Sequence, residues 1–314
     1  DSMSSSTKLV IYAALTGNAL IAIMKFVAAS VTGSSAMFSE GIHSVVDTGN
    51  QILLLHGLKQ AQKPADDRFP FGHGKEIYFW SFVVAILIFA VGAGISIYEG
   101  VHRLSDPGPI ENIMVNYIVL GLAIVFEGGA WLFALKEFKR AKGEWGYIEA
   151  VKRGKDPSMF VVLFEDSAAM LGLLVALLAT FLTQLTGNLY LDGIASIIIG
   201  FILAGTAIWL ALETKGLLIG ESANTHIVDG IKNMAQDYKN IEHISEVLTM
   251  HMGPDYILAN LSVDFSDEAT AGEVEETISE FDAAIKNKYG NVKRIFIEAE
   301  AWHSNLRAEQ DTEK

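Results

Sequence analysis

The chain contains no cysteine and comparatively few basic residues, and both absences narrow its chemistry. Without cysteine it cannot form disulfide bonds, bind a metal through thiolates or use a cysteine nucleophile. Its 37 acidic residues outnumber 23 lysines and arginines, which gives a net charge of −14. Nucleic-acid binding needs a basic surface, so we expect no nucleic-acid partner. The N-terminal stretch lacks the pattern of a cleavable signal peptide, so we expect none.

What the chain has in excess is apolar residues, and its charge is unevenly distributed. Hydrophobic residues make up 51% of the 314, and the mean hydropathy of +0.32 is too high for an ordinary soluble domain of this length. Residues 220–314 carry a net charge of −11, whereas residues 1–219 carry only −3. An apolar part therefore precedes an acidic, water-soluble part.

Six apolar runs are long enough to cross a bilayer, which takes about 20 helical residues. They predict helical spans over 8–31, 36–58, 77–99, 113–135, 159–183 and 190–213. We interpret 8–213 as an all-α, six-helix transmembrane domain. Eleven lysines and arginines lie in the connections 59–75 and 136–157, against one, Arg103, in the alternate connections. By the positive-inside rule, this multi-pass membrane protein has both termini in the cytoplasm.

The residues after the last apolar run predict a cytoplasmic domain over 220–303. A helical segment at 226–238 precedes two alternating segments, ISEVLTMHM and YILANLSVDF, with GPD as the turn between them. The segment AGEVEETISEFDAAIKNKYG has the apolar face of a helix, and NVKRIFIEAEAW has the pattern of a final strand. The order αββαβ predicts a ferredoxin-like α+β domain with helices on one face of a sheet. The polar tail, 304–314, is expected to be disordered.

The second apolar run carries a stripe of polar side chains that cannot face lipid. Its members are spaced by three or four residues and share one helix face: Glu40, His43, Ser44, Asp47 and Gln51. A charged group at the bilayer centre costs about 2.5–3.5 kcal/mol, so these side chains must meet a partner, an ion or water inside the bundle. A structural hydrogen-bond network is one interpretation. Two ionisable groups one turn apart, His43 and Asp47, favour an ion or proton site.

A matching acidic pair, Glu165 and Asp166, lies in the fifth run. Asp166 and Asp47 fall at similar depths, roughly 13 Å and 17 Å from the cytoplasmic ends of their helices. His43, Asp47 and Asp166 therefore provide one imidazole and two carboxylates for a divalent metal. Glu127, inside the fourth run, is a candidate fourth ligand or proton carrier, with a structural role as the alternative.

Three further charged residues in the apolar runs have structural interpretations. Lys25 and Glu99 are expected to pair with each other or to extend toward an interface. Asp192 stands at the start of the sixth run. Because the free N–H groups at a helix start favour a carboxylate, we expect Asp192 to cap that helix.

These features together resemble the cation diffusion facilitator family. Three features carry the resemblance: the HxxxD pattern of the second span, the acidic centre of the fifth and the αββαβ tail. Two segments add to it, FGHGK in FPFGHGKEIYFWSF and the sixth-span start LDGIASIIIG. The similarity covers about 8–303, and FEDSAA and GHGKEIYFWS resemble the subgroup that includes mitochondrial zinc transporters. The resemblance implies a transporter without enzymatic activity or cofactor, dimeric through its C-terminal domain. It would move Zn²⁺ or a similar ion out of the cytoplasm against protons, here across a bacterial inner membrane.

The resemblance also implies a transport site with two residues from each of the second and fifth spans. His43, Asp47 and Asp166 occupy three of these positions, but the fourth is Val162. The candidates to complete the site are Glu165, Glu127, Ser44 or a water molecule. Loss of an imidazole makes the site richer in oxygen, so Mn²⁺, Fe²⁺ and Co²⁺ become alternatives to Zn²⁺.

Two secondary metal sites of the family match this chain poorly. In the loop after the second span, Asp66 and His73 match, but Phe69 stands at a histidine position, so a simple loop-to-helix connector is the alternative interpretation. The corresponding positions on the C-terminal sheet are Asn260, Glu298 and Glu300. Because none of these is histidine, we expect weak zinc binding there or none.

The predicted transport cycle follows from competition between protons and metal for the same atoms. Metal binding needs a neutral His43 and ionised carboxylates. The site therefore exchanges protons for metal as it opens first to one side of the membrane and then to the other. We expect at least one proton per ion, carried by His43, because a free imidazole titrates at about pH 6.5. A passive cation channel and a membrane metal sensor are the alternatives. An intramembrane aspartyl hydrolase using Asp47 and Asp166 is a third.

Overall fold

The computed structural model describes residues 5–142, 146 and 157–301. The described chain divides into two compact units. The first contains the chain up to Lys59 together with Ile77–Lys215, and the second contains Gln60–Glu76 together with the chain from Gly216 onward. The tail predicted at 304–314 lies outside the described residues, as does most of the basic connection at 136–157.

The first unit consists of long helices. In chain order they are α1 (Ser5–Thr32), α2 (Ser35–Ala61), α3 (Glu76–Leu87), α4 (Gly94–Ser105), α5 (Ile113–Lys142), α6 (Pro157–Thr186) and α7 (Tyr190–Ile219). A π-helical segment, Ile88–Ala93, joins α3 to α4, so the three segments follow one another without an intervening loop. A helix satisfies its own backbone hydrogen bonds, which is what allows such apolar segments to lie in lipid.

Five stretches of these helices are long and apolar enough to cross a membrane. They are Leu15–Thr32, Glu76–Ser105, Ile113–Arg140, Val161–Thr186 and Tyr190–Ile219. They coincide with five of the six predicted spans. The remaining predicted span forms α2, a helix of 27 residues whose polar stripe lowers its apolar content. A helical transmembrane region followed by a small sheet domain is the predicted fold class, which is confirmed.

The start of α2 is capped by a residue from a distant helix. The carboxylate of Asp192, on α7, accepts hydrogen bonds from the backbone N–H of Ser35 at 2.6 Å and of Ala36 at 3.3 Å. The Ser34 hydroxyl also donates to it, at 2.6 Å, and Arg103 Nε lies 3.6 Å away. Asp192 therefore caps the N-terminus of α2. It was expected to act as a cap, but of α7, and that choice of helix is wrong.

The second unit contains a three-stranded sheet and two helices. Its elements are α8 (Thr225–Ala235), β1 (Ile241–Gly253), β2 (Tyr256–Phe265), α9 (Ala271–Lys288) and β3 (Val292–Ala299). The strand order is β1-β2-β3, with β1 and β2 antiparallel and β2 and β3 parallel. The predicted order αββαβ is confirmed. Apolar residues of the helices and of β2, among them Ile231, Leu261 and Phe281, form its buried core.

The loop between α2 and α3 packs within this second unit. A Cβ at Gly74 would collide with the backbone carbonyl oxygen of Met252, so only glycine permits this approach to the β1–β2 turn. The rings of Phe71 and Phe296 meet edge to face, with centroids 6.4 Å apart. The Lys75 ammonium lies 3.4 Å from Met250 Sδ, and its partial burial lowers the pKa of Lys75. The segment Gln60–Glu76 is therefore part of the C-terminal unit in space.

Candidate functional site

A cavity of about 190 Å³ lies within the first unit, among α1, α2, α5 and α6. Its walls combine carboxylates and amides with apolar side chains. The lining residues are Asn18, Ile21, Ser44, Asp47, Gln51, Glu127, Ala130, Phe133, Ala134, Val162, Glu165, Asp166 and Ala169. Such a concave site with a few convergent polar groups is where a small ligand or ion is expected to bind.

Most of the residues predicted for the transport site meet at this cavity. Five of the six line it: Ser44, Asp47, Glu127, Glu165 and Asp166. The sixth, His43, is 2% exposed and lies behind the wall. Its Nε2 atom is 3.3 Å from Oδ1 of Asp47, although the geometry is not that of a hydrogen bond. The second and fifth predicted spans thus both contribute side chains to the lining of this cavity, and metal binding by these residues stays a prediction.

Glu165 faces α2 and belongs to the cavity together with its neighbour Asp166. It is 4% exposed, and Oε1 accepts a hydrogen bond from the side-chain amide of Asn50. Glu165 and Asp47 line the same small cavity. Two carboxyl groups in one cavity favour a shared proton or a bound cation, because two bare carboxylates repel. The arrangement suits a site that alternates between these two occupants.

Several buried polar atoms around the cavity have no hydrogen-bond partner among the described residues. They are Glu40 Oε1, His43 Nδ1 and Nε2, Asp47 Oδ1, Asn50 Oδ1 and Glu127 Oε2. Buried polar atoms normally have partners, so atoms such as these are the ones to which a cation, a proton or water would be expected to bind. Within the described ranges, however, no three His, Asp or Glu side chains are already grouped as they would be around a metal ion.

The ammonium group of Lys25 makes three polar contacts beside the cavity. Its Nζ donates to Glu127 Oε1 at 2.7 Å, to Ser44 Oγ at 2.9 Å and to Glu40 Oε2 at 3.0 Å. The predicted pairing with Glu99 is wrong, because Glu99 instead accepts a hydrogen bond from the Ser35 hydroxyl at 2.9 Å. The contacts join α1, α2 and α5 in one buried network.

The predicted loop site shows the contacts of a turn. His73 Nε2 lies 3.5 Å from Asp66 Oδ2, so the two residues do come together. The other Asp66 oxygen accepts hydrogen bonds from the backbone N–H of Phe69 and Arg68, which hold the pKa of this carboxyl below its usual value. Phe69 packs its ring against the His73 ring with centroids 4.7 Å apart. These contacts are those of a loop-to-helix connector, and metal binding by Asp66 and His73 stays a prediction.

The predicted residues of the C-terminal sheet also have protein partners. The Ser262 hydroxyl donates to Glu298 Oε1 at 2.6 Å across the β2–β3 pair. The backbone N–H of Glu300 donates to the carbonyl of Val263. Asn260 lies opposite Phe296 in the register. Metal binding by Glu298 and Glu300 stays a prediction.

The sequence did not point to two polar residues of this region, Asn50 and Asn18, or to the partners of a third, Lys25. Asn50 lies one turn beyond Asp47, so its spacing could have added it to the stripe. Lys25 was noticed, but its partners are far away along the chain. Asn18 lines the cavity from α1, and no pattern around it distinguishes it from the surrounding apolar run.

The fold and the buried acidic cavity define a multi-span membrane transporter. Residues 11–219 match the family model described as the cation efflux transmembrane domain. This match covers more than half of the chain, and the protein therefore belongs to the cation efflux family, the cation diffusion facilitators predicted from the sequence motifs.

Comparison with individual proteins agrees with the family. The chain is 35% identical over 259 residues to "Proton-coupled zinc antiporter SLC30A9, mitochondrial" of Xenopus laevis, an alignment that covers 82% of this chain and 46% of the relative. The chain thus spans about half the length of that relative. It is 22% identical to "Manganese efflux system protein MneP" of Bacillus subtilis (strain 168), over 90% of this chain and 92% of the relative. Among solved structures, "MamM CTD - Copper form" matches 25% of this chain and 88% of its own, with 18% identity and a TM-score of 0.23.

Proposed function

We propose that the protein exports a divalent transition-metal ion from the cytoplasm in exchange for protons, by alternating access. Zn²⁺ is the first candidate, because the zinc antiporter of Xenopus laevis is the most similar of the relatives described above. The observation that carries the proposal is the meeting of Asp47 from α2 with Glu165 and Asp166 from α6 at one buried cavity. Intramembrane carboxylates are costly, and an ion pathway is their usual reason.

The proposed ligands are His43, Asp47 and Asp166, with Glu165 in the fourth place. Glu165 already lines the same cavity as Asp47, and a hydrogen bond from Asn50 holds it there. Val162 lines the same cavity but offers no donor atom. Gathering these four side chains around one ion requires them to move closer together than they are. Such movement is expected of a site that opens alternately to two sides.

Proton coupling follows from the chemistry of these groups. Carboxylates and a neutral imidazole bind metal, whereas their protonated forms do not. The presence of Asp47 and Glu165 in one cavity favours a shared proton when no metal is bound, and a dication would replace that proton. We propose that His43 carries a second exchangeable proton, since its ring lies against Asp47 and behind the cavity wall.

Mn²⁺ is the second candidate for the transported ion. The cavity supplies carboxylate, amide and hydroxyl oxygens, and its one nearby imidazole, His43, stays outside the lining. Oxygen ligands suit Mn²⁺ better than they suit softer ions. The manganese efflux protein of Bacillus subtilis aligns with most of this chain, which is consistent with that alternative.

We further propose that both termini are cytoplasmic in a bacterial inner membrane and that two copies associate through the C-terminal domain. The eleven basic residues of the 59–75 and 136–157 connections support the orientation. The family resemblance supports the dimer. Accessibility of single introduced cysteines to a membrane-impermeant reagent tests the orientation directly, since the chain has no cysteine of its own.

The test is flux through the purified protein in proteoliposomes that contain a metal-sensitive and a pH-sensitive dye. Zn²⁺, Mn²⁺, Fe²⁺, Co²⁺ and Cd²⁺ are compared, with Asp47→Ala as the control that should fold but not transport. We expect metal uptake together with proton movement in the opposite direction. Metal uptake that ignores an imposed pH gradient would favour a channel, and binding without uptake would favour a sensor.

A further inference from the structure

Lys25 is a fully buried cation with every donor hydrogen in use. Its side chain is 1% exposed, and its ammonium group contacts Glu40, Ser44 and Glu127 at 2.7–3.0 Å. A lysine ammonium has three N–H donors, so these three contacts satisfy it completely. The cluster of one lysine and two glutamates nevertheless has one more acid than base, inside the helix bundle.

The two carboxylates of this cluster differ in their freedom to move. Glu40 is 0% exposed and packs against α6 so closely that a Cβ at Gly172 would collide with its Oε1. Glu127 is 15% exposed, lines the cavity and has an Oε2 atom with no hydrogen-bond partner in the described part of the chain. Glu127 therefore belongs both to the Lys25 cluster and to the wall around the transport site.

We propose that Lys25 is a positioning residue that keeps Glu127 out of the coordination of the transported ion. The proposal rests on the proposed function, since it concerns the ion bound at Asp47, Glu165 and Asp166. Lys25 acts as a tethered cation: while its ammonium holds Glu127 Oε1, it offsets part of the charge of that carboxylate and keeps it directed toward Lys25 on α1. The ion then meets three carboxylates in the cavity and not four.

The reason for such an arrangement is that a transporter must release what it binds. Conduction and transport need a site that binds well enough to load and weakly enough to unload. Affinity for a divalent cation rises with the number of charged ligands around it. A fourth free carboxylate in a low-dielectric cavity would hold the ion tightly. An internal cation that pairs with this carboxylate therefore speeds release of the transported ion.

The experiment is a double-mutant cycle on the full chain in detergent, with binding of Zn²⁺ and of Mn²⁺ measured by calorimetry and release measured by stopped flow. The four proteins are the wild type, Lys25→Gln, Glu127→Gln and the double variant. Lys25→Gln is expected to bind about tenfold more tightly and to release more slowly, a coupling of the size found between contacting groups. In the double variant the gain should disappear, because the freed carboxylate is gone. Glu127→Gln alone should shift affinity by less than about threefold.

A purely structural ion pair predicts something different. Folded Lys25→Gln with unchanged or weaker binding overturns the proposal, and so does a gain that persists in the double variant. Should Lys25→Gln fail to fold, Glu127→Gln decides: a loss of affinity beyond threefold shows that Glu127 already binds the ion in the wild type. The proposed function fails separately, when the wild type neither binds nor transports any of the divalent ions.

Discussion

The side-chain amide of Asn50 donates a hydrogen bond to the carboxylate of Glu165, and both side chains are buried in the first unit. Asn50 lies three residues after Asp47 on α2, so the same helix that presents one carboxylate to the cavity also holds its neighbour in place. A group that orients a ligand in this way affects metal binding almost as strongly as the ligand itself.

Replacement of Asn50 by leucine should therefore weaken metal binding while the protein stays folded. Leucine has a similarly branched side chain but no donor, so Glu165 is free to turn away from Asp47. We expect a roughly 10–100-fold loss of zinc affinity, the range seen when an outer-shell partner of a ligand is removed. Thr48→Val is the matched control, because the Thr48 hydroxyl bonds to the Ser44 carbonyl of its own helix. Equal affinities in the two variants would contradict this assignment.

Replacement of Val162 by histidine should shift selectivity toward zinc. Val162 lines the cavity one turn before Asp166, so an imidazole there would add a nitrogen ligand to an oxygen-rich site. Imidazole suits Zn²⁺, whereas carboxylates suit Mn²⁺. The measurement is the ratio of zinc to manganese flux in proteoliposomes. Val162→Leu, which adds volume without a ligand, should leave that ratio as in the wild type.

Replacement of Gly172 by alanine should destabilise the first unit. The added methyl group would strike the buried carboxylate of Glu40, and overpacking of this kind costs about 1–3 kcal/mol. Gly205→Ala is the control, since a Cβ at that helical glycine meets no atom within 4 Å. Alanine there should be neutral or stabilising by about 0.5–1 kcal/mol. Thermal unfolding in detergent gives the comparison, and equal midpoints would show that the Glu40 side chain moves aside freely.

Replacement of Thr270 by alanine should loosen the first turn of α9. The Thr270 hydroxyl accepts from the backbone N–H of Glu273, and the Glu273 carboxylate accepts from the backbone N–H of Thr270, in a capping box. Loss of such a cap costs about 1 kcal/mol. Hydrogen exchange of the residues in this turn measures the effect, and Glu276→Gln on the same helix is the control.

The same turn should show a pH dependence. The backbone N–H and then the hydroxyl of Thr270 hold the pKa of Glu273 below its ordinary value of 4.5. A lowered pKa means that the contact stabilises the folded form above pH 4.5, and that this contribution is lost as the pH falls through the lower folded pKa. The wild type and Thr270→Ala should accordingly differ less in the hydrogen-exchange protection of this turn at acid pH than at neutral pH. A difference that stays constant while NMR shows the Glu273 carboxylate becoming protonated would remove Glu273 from the cap.

Much of the fold could be predicted because its signals are local. The run at 113–135 predicted a helix that is observed at Ile113–Lys142, and the alternating segments after 240 predicted β1 and β2. Length and periodicity need only the residues inside each element. The polar stripe of α2 was found in the same way, since residues three and four apart share a face.

The rest depends on which elements become neighbours. Nothing beside Lys25 in the sequence indicates that Glu127, more than 100 residues away, will be its partner. Asp192 stands at a helix start, which predicted a cap, but the N–H groups that it satisfies belong to α2. The position of Glu165 toward Asn50 follows from the packing of α2 against α6, which helical spacing along one chain segment does not specify.

The close approach of Gly74 to Met252 has a consequence for work on isolated pieces of this protein. A fragment that starts at Gly216 would keep the whole sheet yet lose Gln60–Glu76, which covers part of it. The half-exposed ring of Phe296 would then lose its contact with Phe71, and the β1–β2 turn would lose its contact with Gly74. Oligomeric state or metal affinity determined on such a fragment would describe an artificial surface, and a tethered copy of the missing segment would be needed to restore the native one.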